Sequence, residues 1–411
     1  MTWAEIVADV QENWILYCAM PLIACAIGYV TKILAIKMMF QPLSFVGIKP
    51  WFGWQGIIPG KAEVMAGIMH DTITNRLMKA SDIFGKLDPK RVAREIETPL
   101  INAVEDITRE VMSHYRPGLW DSMPLMVRKR LIQRVQAEAP GTVEDMMREI
   151  QGNIGNVFDL KDMMVVNLSR DKELLNRIFQ KAGRGEFQFI RRSGIYFGFA
   201  IGCVQAVAWA LTHSAWIMPL FGGFVGWFSD WMALKMIFRP REKQKYLFGL
   251  ISWQGLFLKR RKEVAAEYGA MLADEVITAH NIFEAALRGP LSDKLFNVIQ
   301  KHVQDLVDDQ AGLAQPLVVL AVGSESYQQM KKDIAGKLIE RLPATLTHVE
   351  KYADDAMDVR NTLVSKMQEM TTEEFEGVLR PVFEQDEWKL IAIGAVLGFL
   401  VGELQVYMML H

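Results

Sequence analysis

The chain of 411 residues is longer than one ordinary hydrophobic core requires, which allows two domains or an internal repeat. Hydrophobic residues make up 51% and charged residues 23%, a composition that excludes both a disordered chain and a chain lying wholly in lipid. The net charge of −2 gives no reason to expect a nucleic-acid partner. We therefore expect a few membrane-spanning helices that carry water-exposed helical domains.

The first apolar segment begins close to the N-terminus. Residues 1–14 include acidic side chains but no Lys or Arg, whereas a signal peptide has a basic start, so we expect no cleavage. Residues 13–31 carry no formal charge, and a helix of that length nearly covers a hydrocarbon core of about 30 Å. We predict a first span at about 14–31.

Two further spans are predicted in the middle of the chain and one at its end. Residues 194–229 contain no Asp, Glu, Lys or Arg, and as a single helix they would extend about 54 Å, too long for one crossing. The polar break LTHSAW favours a hairpin with spans at about 194–211 and 215–231. The last span covers about 388–410. The alternative is a set of core helices in a soluble protein, but apolar runs of this length favour a membrane.

Two phrases of the sequence are nearly the same. GYVTKILAIKMMFQP at 28–42 matches GWFSDWMALKMIFRP at 226–240, and GFAIGCVQ at 198–205 matches GFLVGELQ at 398–405. We predict two tandem repeats, residues 1–211 with a helical domain at 62–190 and residues 212–411 with a helical domain at 259–387. Because each repeat holds two spans, both copies keep one orientation, which makes the repeat parallel.

Basic residues near the span ends predict the orientation. They flank one side of the spans, for example at Lys37, Arg191 and Lys235, whereas the N-terminus and the turn at 212–214 have none. By the positive-inside rule the helical domains are expected to be cytoplasmic, with both termini outside. Apolar residues in those domains recur at steps of three or four and almost no alternating pattern occurs, which predicts an all-α fold of long helices.

The matched phrases carry opposite charges at one position, Lys32 and Asp230. A lone charge inside a membrane costs about 2.5–3.5 kcal/mol on insertion scales, and a facing partner offsets much of that cost. We therefore expect an ion pair between these two residues across the repeat axis. The alternative is two independent charges at the membrane surface.

The two closing spans carry small residues at four-residue steps, which lie on one helix face and let a neighbouring backbone approach closely. Together with two glutamines they form a predicted stripe at the interface between the repeats: Gly194, Gly198, Gly202 and Gln205, and Gly394, Gly398, Gly402 and Gln405. The alternative is incidental glycine, which is common in membrane helices.

Aromatic and basic loops follow the first span of each repeat. Trp51, Trp54 and Trp253 suit the level of the lipid headgroups. The densest basic cluster of the chain comprises Lys259, Arg260, Arg261 and Lys262. Each such charge adds about 1 kcal/mol of attraction to anionic lipid. The alternative is an ordinary positive-inside anchor.

No catalytic constellation is apparent. The seven histidines are scattered without closely spaced ligand pairs, and PGK at 59–61 lacks the flanking residues of a phosphate loop. Cys18, Cys25 and Cys203 lie in apolar stretches without metal-type spacing. We expect no catalytic residues, no metal and no cofactor, and hence a protein that is not an enzyme.

The matched phrases, the two WQG loops and the closing stripe resemble the bacterial membrane family catalogued as domain of unknown function 445, over nearly the whole chain. The resemblance implies a multi-pass protein of the bacterial inner membrane and brings no established activity. The family is expected to have Asn where this chain has Lys32 and Asp230, so a role tied to that Asn is not carried over.

These observations favour a non-enzymatic inner-membrane protein that acts in envelope organisation, lipid handling or partner docking through its cytoplasmic helices. The expected partners are the bilayer with its anionic phospholipid headgroups and a protein that the sequence does not identify. One alternative is a transporter or channel with a path between the repeats, lined by Lys32, Asp230, Gln205 and Gln405. Another is a membrane-bound enzyme.

Overall fold

The computed structural model describes residues 3–48, 52–115, 124–246, 251–312, 319, 323–377 and 387–410. The helices, numbered in chain order, are α1 (Trp3–Glu12), α2 (Trp14–Phe40), α3 (Ile57–Gly60), α4 (Ala62–Thr72), α5 (Ala80–Phe84), α6 (Pro89–Glu95), α7 (Glu97–Tyr115), α8 (Leu125–Gly152), α9 (Ile154–Val157), α10 (Leu160–Arg170), α11 (Lys172–Ala182), α12 (Arg184–Thr212), α13 (Ile217–Phe238), α14 (Leu256–Lys259), α15 (Arg261–Met271), α16 (Ala279–Arg288), α17 (Ser292–Ala311), α18 (Ser324–Met357), α19 (Val359–Glu369) and α20 (Glu387–Leu410). The strands are β1 (Val46–Ile48), β2 (Phe52–Trp54), β3 (Gln244–Tyr246) and β4 (Ile251–Trp253). The prediction of an all-α fold is confirmed, since these strands form only two short antiparallel hairpins.

The chain forms two compact units. Unit 1 comprises residues 1–68, 168–271 and 364–411, and unit 2 comprises residues 69–167 and 272–363. Each unit thus combines segments from both sides of residue 211. The segments of unit 2 come from the two predicted helical domains and form one body. The predicted division into repeats at 211/212 stays a prediction.

Three helices in the described part of the chain are long and apolar enough to cross a membrane: Trp14–Phe40, Arg184–Thr212 and Glu387–Tyr407. With 27 and 29 residues, the first two extend about 40 Å and 44 Å, so both exceed a hydrocarbon core of about 30 Å. α13 (22 residues) is not among the three. The fourth span therefore stays a prediction.

In unit 1, α2 packs along α12, α13 packs along α20, and α12 contacts α13. The surface of these helices is apolar, as Leu22 and Val30 on α2 are 64% and 59% exposed. Polar side chains such as Ser193 and Ser229 are buried instead. An apolar exterior around polar buried groups is the pattern that a lipid environment favours, because intramembrane polar groups face the bundle interior.

Both α2 and α13 end at a cis proline, with cis peptide bonds at Gln41–Pro42 and Arg239–Pro240. A β-hairpin follows each proline, and the chain then returns to the end of the helix. There the Gly56 amide donates to the Pro42 carbonyl at 2.9 Å, and the Gly255 amide donates to the Pro240 carbonyl at 3.0 Å. A Cβ on either glycine would lie 2.7–2.8 Å from backbone atoms of the preceding turn. This close approach explains the glycine of both WQG loops.

Unit 2 contains a bundle in which α8 contacts α7 and α17, and α18 contacts α7 and α17. Asp88 caps the start of α6, since its side chain accepts from the Lys90 amide at 3.0 Å. A core cluster joins α7 to α18 through Ile107, Val111 and Tyr327. Narrow apolar stripes from separate parts of the sequence thus cover each other.

Candidate functional site

The structure brings Lys32 and Asp230 together in unit 1. Lys32 Nζ on α2 donates to Asp230 Oδ1 on α13, and the exposed fractions of the two side chains are 0% and 7%. Lys32 lies 18 residues from Trp14, or about 27 Å along α2, which places it near one edge of a hydrocarbon core of about 30 Å. The two charges therefore neutralise each other where water is excluded.

Two glycines make room for this pair. A Cβ on Gly194 of α12 would lie 3.0 Å from Lys32 Cγ, and a Cβ on Gly394 of α20 would overlap Asp230 Oδ2. A side chain at either position would displace a buried charge from its partner, and an unpaired buried charge is costly. The first glycine of each stripe thus accommodates the ion pair as well as a neighbouring helix.

The rest of each stripe packs within one half of the chain. Cβ atoms on Gly198 and Gly202 would meet Ala24 and Pro21 of α2, and a Cβ on Gly402 would meet the backbone of α13. Gly398 likewise meets the backbone of α13. The described contacts of these glycines thus join helices on the same side of residue 211, α2 with α12 and α13 with α20. An interface between the repeats along these stripes stays a prediction.

The two glutamines are buried but do not reach the ion pair. Gln205 Nε2 donates to Met218 Sδ on α13 at 2.8 Å, and Gln205 lies 11 residues, or about 16 Å, along α12 from Gly194. Gln405 is 6% exposed, and its Nε2 has no hydrogen-bond partner among the described residues. The structure thus separates the polar groups that the sequence placed along one path.

The predicted interfacial tryptophans hold the hairpins in place. Trp54 is half-buried, and its Nε1 donates to the Met38 carbonyl of α2 at 3.1 Å. Trp253 is also half-buried and packs against Phe189 of α12, with ring centroids 6.1 Å apart. Trp51 lies outside the described residues. The two described rings therefore attach each hairpin to the helices of unit 1.

The basic cluster at 259–262 is only partly available to a ligand. Arg260 contacts the buried Glu186 at 3.3 Å and Glu263 at 2.9 Å, and this guanidinium lowers the pKa of the Glu263 carboxyl. Arg261 Nη1 donates to Thr372 Oγ1 at 3.1 Å. Lys259 and Lys262 are exposed. The four cations do not form one free surface, because two of them bind other parts of unit 1.

Unit 2 contains a feature that the sequence analysis missed, an apolar cavity between α7, α8, α17 and α18. Its volume is about 230 Å³. The lining residues come from all four helices and are Leu100, Val104, Ile107, Thr108, Val111, Met112, Val135, Ala139, Thr142, Val143, Met146, Val303, Leu306, Val307, Gln310, Ala311, Tyr327, Met330, Ile334 and Leu338. The sequence signal that could have indicated this cavity is the presence of small side chains, such as Ala139 and Thr142, among the larger apolar residues of the helices.

Polar groups lie beside this cavity on α17 and α18. The Tyr327 hydroxyl, whose ring lines the cavity, donates to Asp308 at 2.9 Å, and Lys331 donates to the same carboxylate at 2.7 Å. Burial, together with this hydrogen bond, raises the pKa of Tyr327 to about 12. Burial and a hydrogen bond to Asp333 likewise raise the pKa of Tyr115 to about 12. Both phenols are therefore neutral donors at physiological pH.

A search of the described residues finds no group of three or more His, Cys, Asp or Glu side chains that could hold a metal ion. Cys18 and Cys203 are exposed and Cys25 is half-buried, and all three are free thiols. The buried ion pair and the apolar cavity are therefore the features to which a function is best assigned.

Comparison with known proteins gives relatives among bacterial membrane proteins. The chain is 29% identical over 202 residues to a UPF0754 membrane protein of Listeria welshimeri, covering 47% of this chain and 48% of that protein. One of Staphylococcus aureus is 24% identical over 212 residues, covering 46% and 53%. One of Listeria monocytogenes serotype 4a is 36% identical over 93 residues, covering 22% of each. The matches thus span between about a fifth and about a half of the relatives' length.

No family model matches the chain, and no solved structure matches it. The resemblance to domain of unknown function 445 therefore stays a prediction. The long apolar helices and the named relatives agree that the chain is a helical membrane protein, similar to the UPF0754 membrane proteins of bacteria.

Proposed function

We propose that the protein is a multi-pass protein of the bacterial inner membrane that handles lipid by holding an acyl chain inside its helical unit 2. The single observation that carries this proposal is the apolar cavity between α7, α8, α17 and α18. The proposal narrows the three expected roles, envelope organisation, lipid handling and partner docking, to the second.

The proposal includes four spans, with α13 as the fourth, and a parallel tandem repeat. Its support is that α2 and α13 are each followed by a cis proline, a hairpin, a short helix, a longer helix and a one-turn π-helical segment, Ile73–Leu77 and Leu272–Val276. The proposed orientation has the helical segments in the cytoplasm and both termini outside, on the positive-inside argument.

The dimensions of the cavity suit one acyl chain. Its lining runs from Leu100 to Met112 on α7 and from Tyr327 to Leu338 on α18, about 18 Å and 16 Å along the helices. A hydrocarbon core of about 30 Å contains two leaflets, so one acyl chain extends about 15 Å. The lining therefore extends over about the length of one acyl chain, which suits an elongated ligand.

The chemistry of the lining also favours a hydrocarbon. The side chains are aliphatic, with Thr108, Thr142, Gln310 and the ring of Tyr327 as the polar exceptions. Each methylene that moves from water into such surroundings contributes about 0.8 kcal/mol, so an acyl chain prefers this cavity to water.

The test is photo-crosslinking of the full chain in nanodiscs with palmitic acid that carries a diazirine at the end of its chain. We expect crosslinks in peptides of α7, α17 and α18. Ala139→Phe fills the cavity from α8 and should reduce the yield at least tenfold. Ala137→Phe is the matched control, because Ala137 lies two residues away on the same helix and is exposed.

Crosslinks that are confined to the apolar helices of unit 1, or equal yields in the two variants, would contradict the proposal. Stability provides a second readout. Overpacking a filled core costs about 1–3 kcal/mol, so an Ala139→Phe protein that unfolds at the wild-type temperature supports free space at this position. A loss in that range would instead mean that the space is not available.

A second candidate function is transport, and the buried Lys32–Asp230 pair favours it, because charged groups inside a membrane commonly mark an ion or proton path. The path would lie between the repeats and include Gln205 and Gln405. Flux that is abolished by Asp230→Asn and by Lys32→Met, with assembly intact, would support it. Unchanged flux would leave the pair a structural role. That the protein is not an enzyme remains a prediction.

A further inference from the structure

A recess lies in unit 1 where α2 ends and α12 begins. Its volume is about 360 Å³. Three cations line it, Lys37 on α2 and Arg184 and Arg191 on α12, and none of its lining residues, all of which are described, is Asp or Glu. The other lining residues are Ile33, Ile36, Phe40, Gln41, Gln180 and Phe187. The recess thus combines concentrated positive charge with an apolar floor.

The three cations are free to bind a ligand. Within the described ranges, neither Lys37 nor the two arginines forms an ion pair with an acidic side chain. Arg260 of the same unit, by contrast, binds Glu186. Three like charges facing one recess repel each other, and an anion placed among them removes that repulsion.

A second recess lies at the end of α13, and its charges are balanced. It is lined by Lys235, Arg239 and Arg241, but also by Glu242 and Glu373. In addition, Arg241 Nε contacts a carboxylate oxygen of the buried Glu376 at 2.6 Å. The recess beside α2 has no such acidic residue in its lining and therefore presents an excess of positive charge.

The recess lies at the height of the lipid headgroups. Lys37 is 23 residues from Trp14, about 35 Å along α2, and Arg191 is 21 residues from Thr212, about 32 Å along α12. A hydrocarbon core measures about 30 Å, and the headgroup regions bring the bilayer to about 40–45 Å. Both cations thus lie just beyond the hydrocarbon edge, in the layer where phosphates occur.

We propose that this recess binds the phosphate of one anionic phospholipid, with its acyl chains descending along the lipid-facing side of α2. The floor favours a lipid over free phosphate, because Ile33 is 39% exposed and continues the apolar surface from the recess toward the membrane centre. The inference rests on the membrane placement of α2 and α12 and is independent of the cavity in unit 2.

The test is native mass spectrometry of the full chain released from nanodiscs that contain equal amounts of phosphatidylglycerol and phosphatidylcholine. The wild-type protein should retain one phosphatidylglycerol in preference to phosphatidylcholine. Each cation near an anionic leaflet contributes roughly fivefold, so Lys37→Gln/Arg184→Gln/Arg191→Gln should lower retention on the order of 100-fold. The conservative variant Lys37→Arg should keep it.

The matched control is Lys90→Gln/Arg94→Gln/Lys129→Gln, which removes three exposed cations of unit 2 and should leave retention unchanged. The proposal would be overturned if both triple variants kept phosphatidylglycerol as the wild type does, or if both lost it to the same extent. Inorganic phosphate is the third arm, since its displacement of phosphatidylglycerol at millimolar concentration would show that the site takes free phosphate. Loss confined to the Lys37, Arg184 and Arg191 variant, without displacement by phosphate, is the supporting result.

Discussion

The ion pair between Lys32 and Asp230 gives a sharp stability prediction. Because the exposed fractions of the two side chains are 0% and 7%, removing either partner leaves a charge that water cannot reach. We expect Lys32→Met and Asp230→Leu each to destabilise the protein by about 3–5 kcal/mol. The double variant with both apolar residues should be neutral or more stable than either single variant, because no charge remains buried.

Exchanging the two charges tests direct contact. In Lys32→Asp/Asp230→Lys the two charges exchange positions and the pair is restored. We expect this double variant to lose about 2–3 kcal/mol less than the sum of the losses of Lys32→Asp and Asp230→Lys, and this difference is the coupling energy. The measurement is reversible unfolding of the full chain in mixed micelles.

Additivity is the outcome that would refute the reasoning. If the exchanged variant loses as much stability as Lys32→Asp and Asp230→Lys together, the side chains do not stabilise each other and the two charges act independently. Lys259→Met is the control for removing a lysine, because Lys259 is exposed, and its effect should lie within about 0.5 kcal/mol.

Further predictions concern the helix contacts, a helix cap and the two tyrosines of unit 2. Gly198→Leu should destabilise by about 1–3 kcal/mol or more, because a Cβ there would lie 2.5 Å from the Ala24 carbonyl, whereas Gly141→Leu, with nothing within 4 Å, should be tolerated in the same melting assay. Asp171→Ala should cost about 0.5–2 kcal/mol in chemical unfolding, because the side chain caps α11 by accepting from the Leu174 amide at 2.8 Å. Because the pKa values of Tyr115 and Tyr327 are raised to about 12, the folded state holds more protons than the unfolded state above pH 10, so stability should fall as pH rises from about 10 to 12. Absorbance of phenolate in wild type and in the two Tyr→Phe variants checks this, and ordinary titration near pH 10 would contradict it.

The membrane helices follow from local sequence. An apolar run of about 20 residues can be recognised from the sequence alone, because its length matches the thickness of a bilayer. Three of the predicted spans accordingly coincide with long apolar helices. α13 shows the limit of this argument, since it is not among those three helices although it packs beside α20. The all-α class likewise follows from the period of the apolar residues.

The ion pair was accessible to sequence reasoning for a particular reason. The two matched phrases place Lys32 and Asp230 at equivalent positions, and opposite charges in apolar surroundings have few other ways to be neutralised. The glycine stripes were also visible, but their partner helix was not. Glycines that are four residues apart identify a helix face on which another helix can pack closely. Several helices of this chain carry small residues, so the sequence does not say which of them packs there.

Only the tertiary structure decided which basic residues are free and where unfilled space lies. Arg260 lies in the densest basic cluster of the sequence, yet it binds Glu186, 74 positions away, inside unit 1. Lys37, Arg184 and Arg191, which are scattered in the sequence, line one recess. The cavity of unit 2 is bounded by four helices from both halves of the chain. The sequence by itself determined which segments enter lipid, because hydrophobicity is a local property, whereas cavities and charge pairs depend on which distant surfaces meet.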